Sequence, residues 1–217
     1  VALDPRADAT LARFERVLRQ RNALLRQSGG RLDADAALTL DVWDMKMAPL
    51  AEEVMAARAA AIDLLRPEVQ HAYQALAAAT VAVDVRYRPA VEPASVESAL
   101  VKGRAEDVRR GITLAGPHRD EIDLLLRGTP VRTHGSQGEQ RSMALALKLG
   151  GHRLVTDTVG EPPLLLLDDV FSELDPGRCE ALVANLPAGQ TVLTSADRLP
   201  KAAVADVVCH VENGVIR

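Results

Sequence analysis

The first residues that could carry chemistry lie in the stretch "THGSQGEQRSMALALKLG", residues 133–150. It places Ser136, Gly138 and the polar pair Glu139 and Gln140 at the start of an apolar run that is typical of a helix. The first N–H groups of a helix have no partner within it and the peptide dipoles add up there, so such starts attract anions. This stretch therefore permits a phosphate site, and the rest of the chain must decide whether it is one.

A second candidate is the run "PLLLLDDV", in which Asp168 and Asp169 follow four leucines. The leucines, residues 164–167, predict a strand buried on both faces, and ligands of open parallel sheets bind at the carboxyl end of such strands. Two adjacent carboxylates repel each other and need a cation, hydrogen-bond donors or water. One of them could hold Mg²⁺ while the other orients an attacking water. The alternative is a strand end that emerges into a solvated loop.

A polar turn, "FSELDPGR", follows directly and contains Ser172, Glu173 and Asp175. Pro176 suits the first position of a helix, and Asp175 is a natural N-cap for it. Capping is by itself a sufficient explanation for Asp175. The stretch "QTVLTS" then predicts a strand that ends at Thr194.

The elements that must position these residues fall into a helical and a mixed half. The spacing of apolar residues predicts one helix that begins with Thr10 as its N-cap and a second that begins near Asp33. Pro49 should kink or restart the second helix, and Pro67 should begin a third. This half is typical of an antiparallel helical bundle whose arginines face solvent.

The remaining residues alternate strands and helices, and those from 112 onward form the mixed half. Residues 81–88 predict a half-buried strand, Ser95 can cap a helix to about Arg110, and "EIDLLLRGTPVRT" indicates two strands joined at Gly128 and Thr129. Near the end of the chain, Asn213-Gly214 is a type I′ hairpin signal. The pattern predicts an α/β fold with a mainly parallel sheet beside an α-helical lobe. We place the boundary near residue 111, with a mainly helical lobe and a short strand segment in 1–111 and the α/β part in 112–217.

Composition limits the function classes. Of the 217 residues, 47% are hydrophobic and only 2% are aromatic, so the core is aliphatic and base stacking has few platforms. The net charge of −4 still allows a local basic patch, for which Arg13, Arg16, Arg19, Arg21 and Arg26 are weak candidates beside the simpler interpretation of a solvated helix face. Two isolated cysteines predict neither a disulfide framework nor a zinc site and favour a reducing cytoplasm. No stretch approaches the roughly 20 apolar residues that span a bilayer.

The order of the motifs carries a resemblance. A Ser-x-Gly-Glu-Gln helix start, a strand ending in Asp-Asp, a Ser-Glu-Leu-Asp turn and a strand ending in Thr-Ser resemble the second half of an ABC-type ATPase head. The wording is closer to the chromosome-maintenance branch than to the transporters. Most specifically, "GPHRDEIDLLL", "VRTHGSQGEQRSMALALKLG" and "PPLLLLDDVFSELDPGR", with "VLRQRNALLR" and "VWDMKMA" upstream, resemble the RecF family of bacterial recombination mediators.

The resemblance implies roles for single residues. The signature stretch, residues 136–140, would contact the γ-phosphate of a nucleotide held by the opposite subunit; it consists of Ser136, Gln137, Gly138, Glu139 and Gln140. Asp168 matches the Walker B carboxylate for Mg²⁺, and Asp169 falls where the catalytic base lies. Most ABC proteins have Glu there, so the shorter Asp implies slow hydrolysis. Asp175 matches the D-loop aspartate at the dimer interface, and Thr194 occupies the switch position, where transporters usually have His.

The resemblance also implies a function for the intact protein. It would be an ATP- and Mg²⁺-dependent homodimeric DNA clamp with weak DNA-dependent ATPase activity, acting in replication, repair, recombination and the SOS response. It would bind DNA at gaps and single-strand/double-strand junctions and help to load the recombinase with RecR- and RecO-type partners. The alternatives are another ABC-type fragment, either SMC-like or from a transporter, and a helical protein-interaction module whose head remnant has no nucleotide role.

One expected motif is missing from the sequence. No G-x-x-x-x-G-K-[ST] phosphate loop occurs in it, and in this superfamily that loop lies near the N-terminus. We therefore expect the chain to be the C-terminal part of a longer protein that binds ATP very poorly on its own and does not hydrolyse it. The motif "GPHRD", residues 116–120, leaves two interpretations open. His118 and Arg119 could contact phosphate or the dimer interface, or Asp120 could pair with Arg119 in a purely structural turn.

Overall fold

The computed structural model describes residues 4–172, 174–196, 199–212 and 214–216. Six α-helices lie in this part of the chain: α1 (Pro5–Gln27), α2 (Ala34–Ala77), α3 (Val96–Arg110), α4 (Val131–His134), α5 (Gln137–Val159) and α6 (Pro176–Ala184). Seven short strands accompany them: β1 (Val83–Arg88), β2 (Glu121–Leu126), β3 (Thr129–Pro130), β4 (Leu165–Leu167), β5 (Thr191–Leu193), β6 (Val211–Glu212) and β7 (Val215–Ile216). Turns of 3-10 helix cover Pro93–Ser95 and Pro117–Arg119. The α/β class with a helical lobe is confirmed.

Helix α1 begins earlier than its apolar pattern predicts. Its N-cap is Asp4, whose carboxylate accepts a hydrogen bond from the Arg6 N–H at 2.8 Å, and Pro5 takes the first helical position. The prediction of Thr10 as the N-cap is therefore wrong, because an Asp-Pro start satisfies the helix end one and a half turns upstream. The Thr10 hydroxyl instead donates to Glu53 of α2 at 3.2 Å.

Helix α2 is a single helix of 44 residues that contains Pro49 and Pro67. Its start at the Asp33 cap is confirmed, but the predicted break and third helix are wrong. An internal proline removes one backbone hydrogen bond and costs about 3 kcal/mol. Packing outweighs that cost here because buried residues continue on both sides of each proline, as Met47 and Leu50 do around the first. The helix packs against α1, α3, α5 and β1, so tertiary contacts hold it along its length.

The strands form three small sheets. β1 is confirmed, and it pairs antiparallel with β2 in the register Val83↔Leu126 to Arg88↔Glu121. β3 has only two residues and is followed at once by α4, so the second predicted strand of that stretch is shorter than expected. Among the described strands, β4 and β5 pair parallel and the other pairings are antiparallel, so the described sheets are not mainly parallel as predicted. β6 and β7 form the closing hairpin, while Asn213 of the predicted turn lies outside the described residues.

Two apolar clusters flank the middle of α2. The larger joins the second half of α2 to β1, β4, α5 and α6, and the smaller joins its first half to α1 and α3. Both the β1–β2 pairing and the larger cluster cross residue 111, which leaves the division into 1–111 and 112–217 a prediction.

One arginine of the predicted solvated face is completely buried. Arg21 has no exposed surface and donates to Asp44 at 2.6 Å, to Asp107 at 2.7 Å and to the Thr113 hydroxyl at 2.9 Å. These partners come from α2, from α3 and from the segment after α3. Burial raises the pKa of Asp107, and the hydrogen bond and charge of Arg21 act against that shift. Arg21 is therefore a cross-link of the helical lobe, and its assignment to a phosphate-binding stripe is wrong.

The neighbouring glycines of "KLGG" give a matched test of the packing between α5 and α2. A Cβ at Gly150 would lie 2.9 Å from the Val69 backbone nitrogen, whereas a Cβ at Gly151 would meet no heavy atom within 4 Å. Gly150→Ala is expected to destabilise the protein by about 1–3 kcal/mol, because backbone must move to admit the methyl group. Gly151→Ala is expected to stabilise it by up to about 1 kcal/mol through helix propensity. Urea unfolding of both variants measures this, and equal effects would contradict the close helix contact.

Candidate functional site

Strand β4 and the two carboxylates at its end form the first part of the site. Leu165 and Leu167 are buried in the larger apolar cluster, but Leu164 and Leu166 are 52% and 56% exposed. The prediction of a strand buried on both faces is therefore wrong, because in the described structure only one face of β4 is covered. Val192 of the paired strand β5 is 45% exposed as well. The outer face of this parallel pair is apolar and open.

Thr194 holds the two aspartates in place. The Thr194 hydroxyl donates a short hydrogen bond to Asp168 Oδ1, and the Asp169 N–H donates to the same hydroxyl and to the Thr194 carbonyl oxygen, each at 3.1 Å. Asp169 has a left-handed backbone, with φ of 46°, and its carboxylate accepts from the Ser172 hydroxyl at 2.9 Å. The site thus brings Asp168, Asp169 and Thr194 together, and Ser172 adds a contact that was not predicted.

Asp168 and Asp169 can bind a magnesium ion only if other groups complete its coordination. Among the residues that the structure describes, no three His, Cys, Asp or Glu side chains stand close enough to hold a metal ion. Both Asp168 and Asp169 are exposed, and one oxygen of each accepts from a neighbouring hydroxyl. Mg²⁺ is commonly held by one or two carboxylates together with waters and substrate phosphates. Asp168 could supply such a carboxylate. The described side chains do not form a site in which protein groups alone would hold the ion.

The signature stretch starts helix α5 with a capping box. Ser136 is the N-cap; its hydroxyl accepts from the Glu139 N–H at 3.3 Å, and Glu139 Oε2 accepts from the Ser136 N–H at 2.9 Å and from the hydroxyl at 3.1 Å. The other Glu139 oxygen accepts a short bond from Arg127. Gln140 donates from Nε2 to the Gly135 carbonyl at 3.0 Å. The Ser136 N–H and the Arg127 guanidinium hold the pKa of Glu139 below its usual value, so this carboxylate stays ionised at neutral pH.

Arg178 links Asp175 to residues 136–140 at the start of α5. Asp175 caps α6 by accepting from the Arg178 N–H, and its second oxygen accepts from Arg178 Nη1, both at 3.0 Å. That same Nη1 lies 2.4 Å from the place where a Cβ on Gly138 would stand. Gly138 therefore lets the guanidinium pass over the start of α5. The contact of Arg178 with Gly138 was not predicted, although the position of Arg178 three residues after a capping aspartate indicates its local pairing with Asp175.

Gln137, the remaining residue of the signature stretch, is exposed at the first position of α5.

The "GPHRD" motif is held by hydrogen bonds to other segments of the chain. In the motif, Asp120 accepts from the Tyr87 hydroxyl and from the Ala90 N–H, while Arg119 donates to the Thr113 carbonyl at 3.2 Å. The predicted pairing of Asp120 with Arg119 is replaced by these bonds. They tie the motif to β1 and to the segment after α3, which favours its structural interpretation.

Comparisons with known proteins find similar curated proteins that carry the same name. A protein of Frankia alni named DNA replication and repair protein RecF is 42% identical over 214 residues, covering 90% of this chain and 56% of the relative. A protein of the same name from an Arthrobacter species is 36% identical over 233 residues, covering 90% of this chain and 58% of the relative. The chain thus spans little more than half the length of these curated relatives. No protein-family model matches it.

Solved structures agree on the fold. A structure described as the recombination mediator protein RecF-ATPrS in the RecFOR pathway matches with a TM-score of 0.82 at 24% identity, covering 99% of this chain and 59% of that chain. A structure described as RecF-ATP matches equally well. At this identity the likeness establishes the fold alone. Of the helices described here, none is long and apolar enough to cross a membrane.

Proposed function

The chain belongs to the RecF family over the part of the family's length that it spans, and on that premise we propose that it forms the C-terminal portion of an ATP-dependent DNA clamp. The clamp would act in DNA replication, repair and recombination in the cytoplasm. The observation that carries the proposal is the junction of Gly138, Arg178 and Asp175, because it presents the signature stretch and the D-loop together. Ser136 and Asp175 are both exposed there. A site that contacts a nucleotide bound to a second subunit requires such exposure.

The exposed side chains of this portion would act on a bound nucleotide in two places. Ser136 would donate its hydroxyl to the γ-phosphate held by the opposite subunit, at a helix start that favours negative charge. Asp168 would hold Mg²⁺, which supplies charge neutralisation at the phosphates, and Thr194 would orient that carboxylate. Asp169 would position the attacking water, with Ser172 fixing its carboxylate. In this scheme the dimer closes with ATP bound and opens after hydrolysis.

DNA is the proposed partner of the closed dimer, at gaps and at single-strand/double-strand junctions. Four arginines of the basic stripe predicted in α1 are exposed and could neutralise backbone phosphates; they are Arg13, Arg16, Arg19 and Arg26. Arg19 also lies 3.7 Å from Glu15, so part of its charge is balanced within the helix. RecR- and RecO-type mediators are proposed as protein partners on the family relationship alone, and weak DNA-dependent ATPase activity is proposed because Asp169 is shorter than the usual Glu.

Replacing Ser136 in the complete protein tests the assignment in trans. Ser136→Arg is expected to abolish ATP-driven dimerisation in analytical ultracentrifugation, because the long cation blocks the approach of the second subunit. ATP binding to the monomer should change little, since the phosphates contacted by Ser136 belong to the opposite subunit. Thr158→Arg, which places the same cation at an exposed position near the far end of α5, serves as the control. Equal loss of monomer binding and dimerisation in Ser136→Arg would refute the assignment.

A further inference from the structure

The proton of the Ser136 hydroxyl is already engaged within its own chain. The oxygen accepts from the Glu139 N–H at 3.3 Å, and the hydroxyl donates to Glu139 Oε2 at 3.1 Å. The same carboxylate oxygen also accepts from the Ser136 N–H at 2.9 Å. An anion of the protein itself thus lies at the helix start that the proposed function gives to a phosphate. A phosphate oxygen and this carboxylate cannot share the hydroxyl proton, and two anions in contact repel each other.

The second carboxylate oxygen of Glu139 has its own partner. Arg127 donates to Oε1 from the turn between β2 and β3, where its backbone is left-handed with φ of 52°. The Arg127 side chain is 61% exposed and that of Glu139 is 20% exposed, so solvent reaches the pair and it can rearrange. One oxygen of the Glu139 carboxylate therefore bonds to Ser136, and the other bonds to Arg127.

We propose that Arg127 is a positioning residue for the signature serine, which it controls through Glu139. In the structure, Glu139 bonds to Ser136 and Arg127 together. When a phosphate from the opposite subunit arrives, the Glu139 carboxylate leaves Ser136 and is held by Arg127 alone, which frees the hydroxyl to donate. The inference rests on the proposed function of Ser136 and concerns the regulation of that site.

The inference predicts opposite effects for the two partners. Glu139→Gln removes the competing charge and should lower the concentration of a non-hydrolysable ATP analogue that gives half-maximal dimerisation. Arg127→Ala removes the group that draws the carboxylate away and should raise that concentration. Each change should be about two- to fivefold, the size expected of exposed charge pairs. Arg127→Lys retains the cation and should restore most of the wild-type value.

A double variant separates action through Glu139 from direct action on the phosphate. Arg127→Ala should have much less effect in a Glu139→Gln background than in the wild type, because no charged carboxylate is left to position. An unchanged effect in that background would show that Arg127 contacts the phosphate itself, and this would overturn the inference. Weaker dimerisation of Glu139→Gln would overturn it as well, since Glu139 would then assist binding.

Two outcomes of the dimerisation assay distinguish failure of the inference from failure of the proposed function. If the wild-type protein shows no nucleotide-driven dimerisation, the proposed function itself fails. If the wild type dimerises but all single variants match it, only the inference fails. Thermal unfolding of the same variants controls for the cap, because Gln at position 139 can still complete the capping box and Glu139→Gln should therefore change the stability little.

Discussion

Replacing Asp169 by Asn in the complete protein is expected to lower the rate of ATP hydrolysis by about 10²–10⁴-fold, the usual contribution of a general base. The amide cannot accept the proton of the attacking water, but it retains the size of the side chain and can still accept from Ser172. Nucleotide binding should therefore stay intact, and the ATP-bound dimer should accumulate on DNA. Single-turnover hydrolysis and filter binding of labelled ATP measure the two quantities separately.

Asp168→Asn is the matched control, because it makes the same chemical change one residue away. Asp168 would hold the metal ion, so its amide variant should weaken Mg²⁺-dependent nucleotide binding, which Asp169→Asn should leave unchanged. The Thr194 hydroxyl can still donate to the amide oxygen at position 168, so the local structure should survive. Hydrolysis at the wild-type rate in both variants would show that the Walker B assignment is wrong.

The sequence predicted the short elements around the site well because each carries a local signal. The α6 start follows from Asp175 and Pro176, and the capping aspartate lies where the motif requires it. The β1 strand follows from strict alternation of apolar and polar residues. Signals of this kind depend on a few neighbouring residues, so long-range packing did not alter them.

The failures came where tertiary contacts outweighed local preference. Pro49 and Pro67 are strong helix breakers in isolation, yet α2 continues through both because its buried residues pack along its whole length. Leu164 and Leu166 suggested a strand buried on both faces, but hydrophobicity alone does not tell whether a second layer covers the strand. Helical spacing likewise placed Arg21 among solvated arginines, although the partners that bury it come from distant helices.

Within the site, residue types were predicted better than contacts. The sequence indicated Ser136, Glu139 and Asp168 as polar groups at element ends, and the structure shows what each one bonds to. The sequence could not indicate that Thr194 bonds to Asp168, because β4 and β5 are far apart in the chain and their register becomes visible only in the sheet. Arg127 and Arg178 were missed for the same reason, since their significance depends on the start of α5 beside them.

Replacing Arg21 by Ala is expected to destabilise the protein by about 3–5 kcal/mol, because Asp107 would then be buried without a cation and Asp44 would keep only Arg104 as a charged partner. Asp44 and Asp107 are 2% and 1% exposed and would lose their bonds to the guanidinium at 2.6 and 2.7 Å. Helices α1, α2 and α3 would lose their common cross-link at the same time. Urea unfolding at neutral pH measures the change in the free energy of unfolding.

The pH dependence separates charge from lost packing. Burial already raises the pKa of Asp107, and without Arg21 that pKa should rise further. A carboxyl whose pKa is raised by folding destabilises the protein above that pKa, and the penalty disappears as the pH falls towards the ordinary value of 3.8. The deficit of Arg21→Ala relative to the wild type should therefore be largest at neutral pH and shrink on acidification. Arg19→Ala, which removes an exposed arginine of the same helix, should have a far smaller effect. A deficit of Arg21→Ala that does not change with pH would mean that packing, and not charge, accounts for its stability.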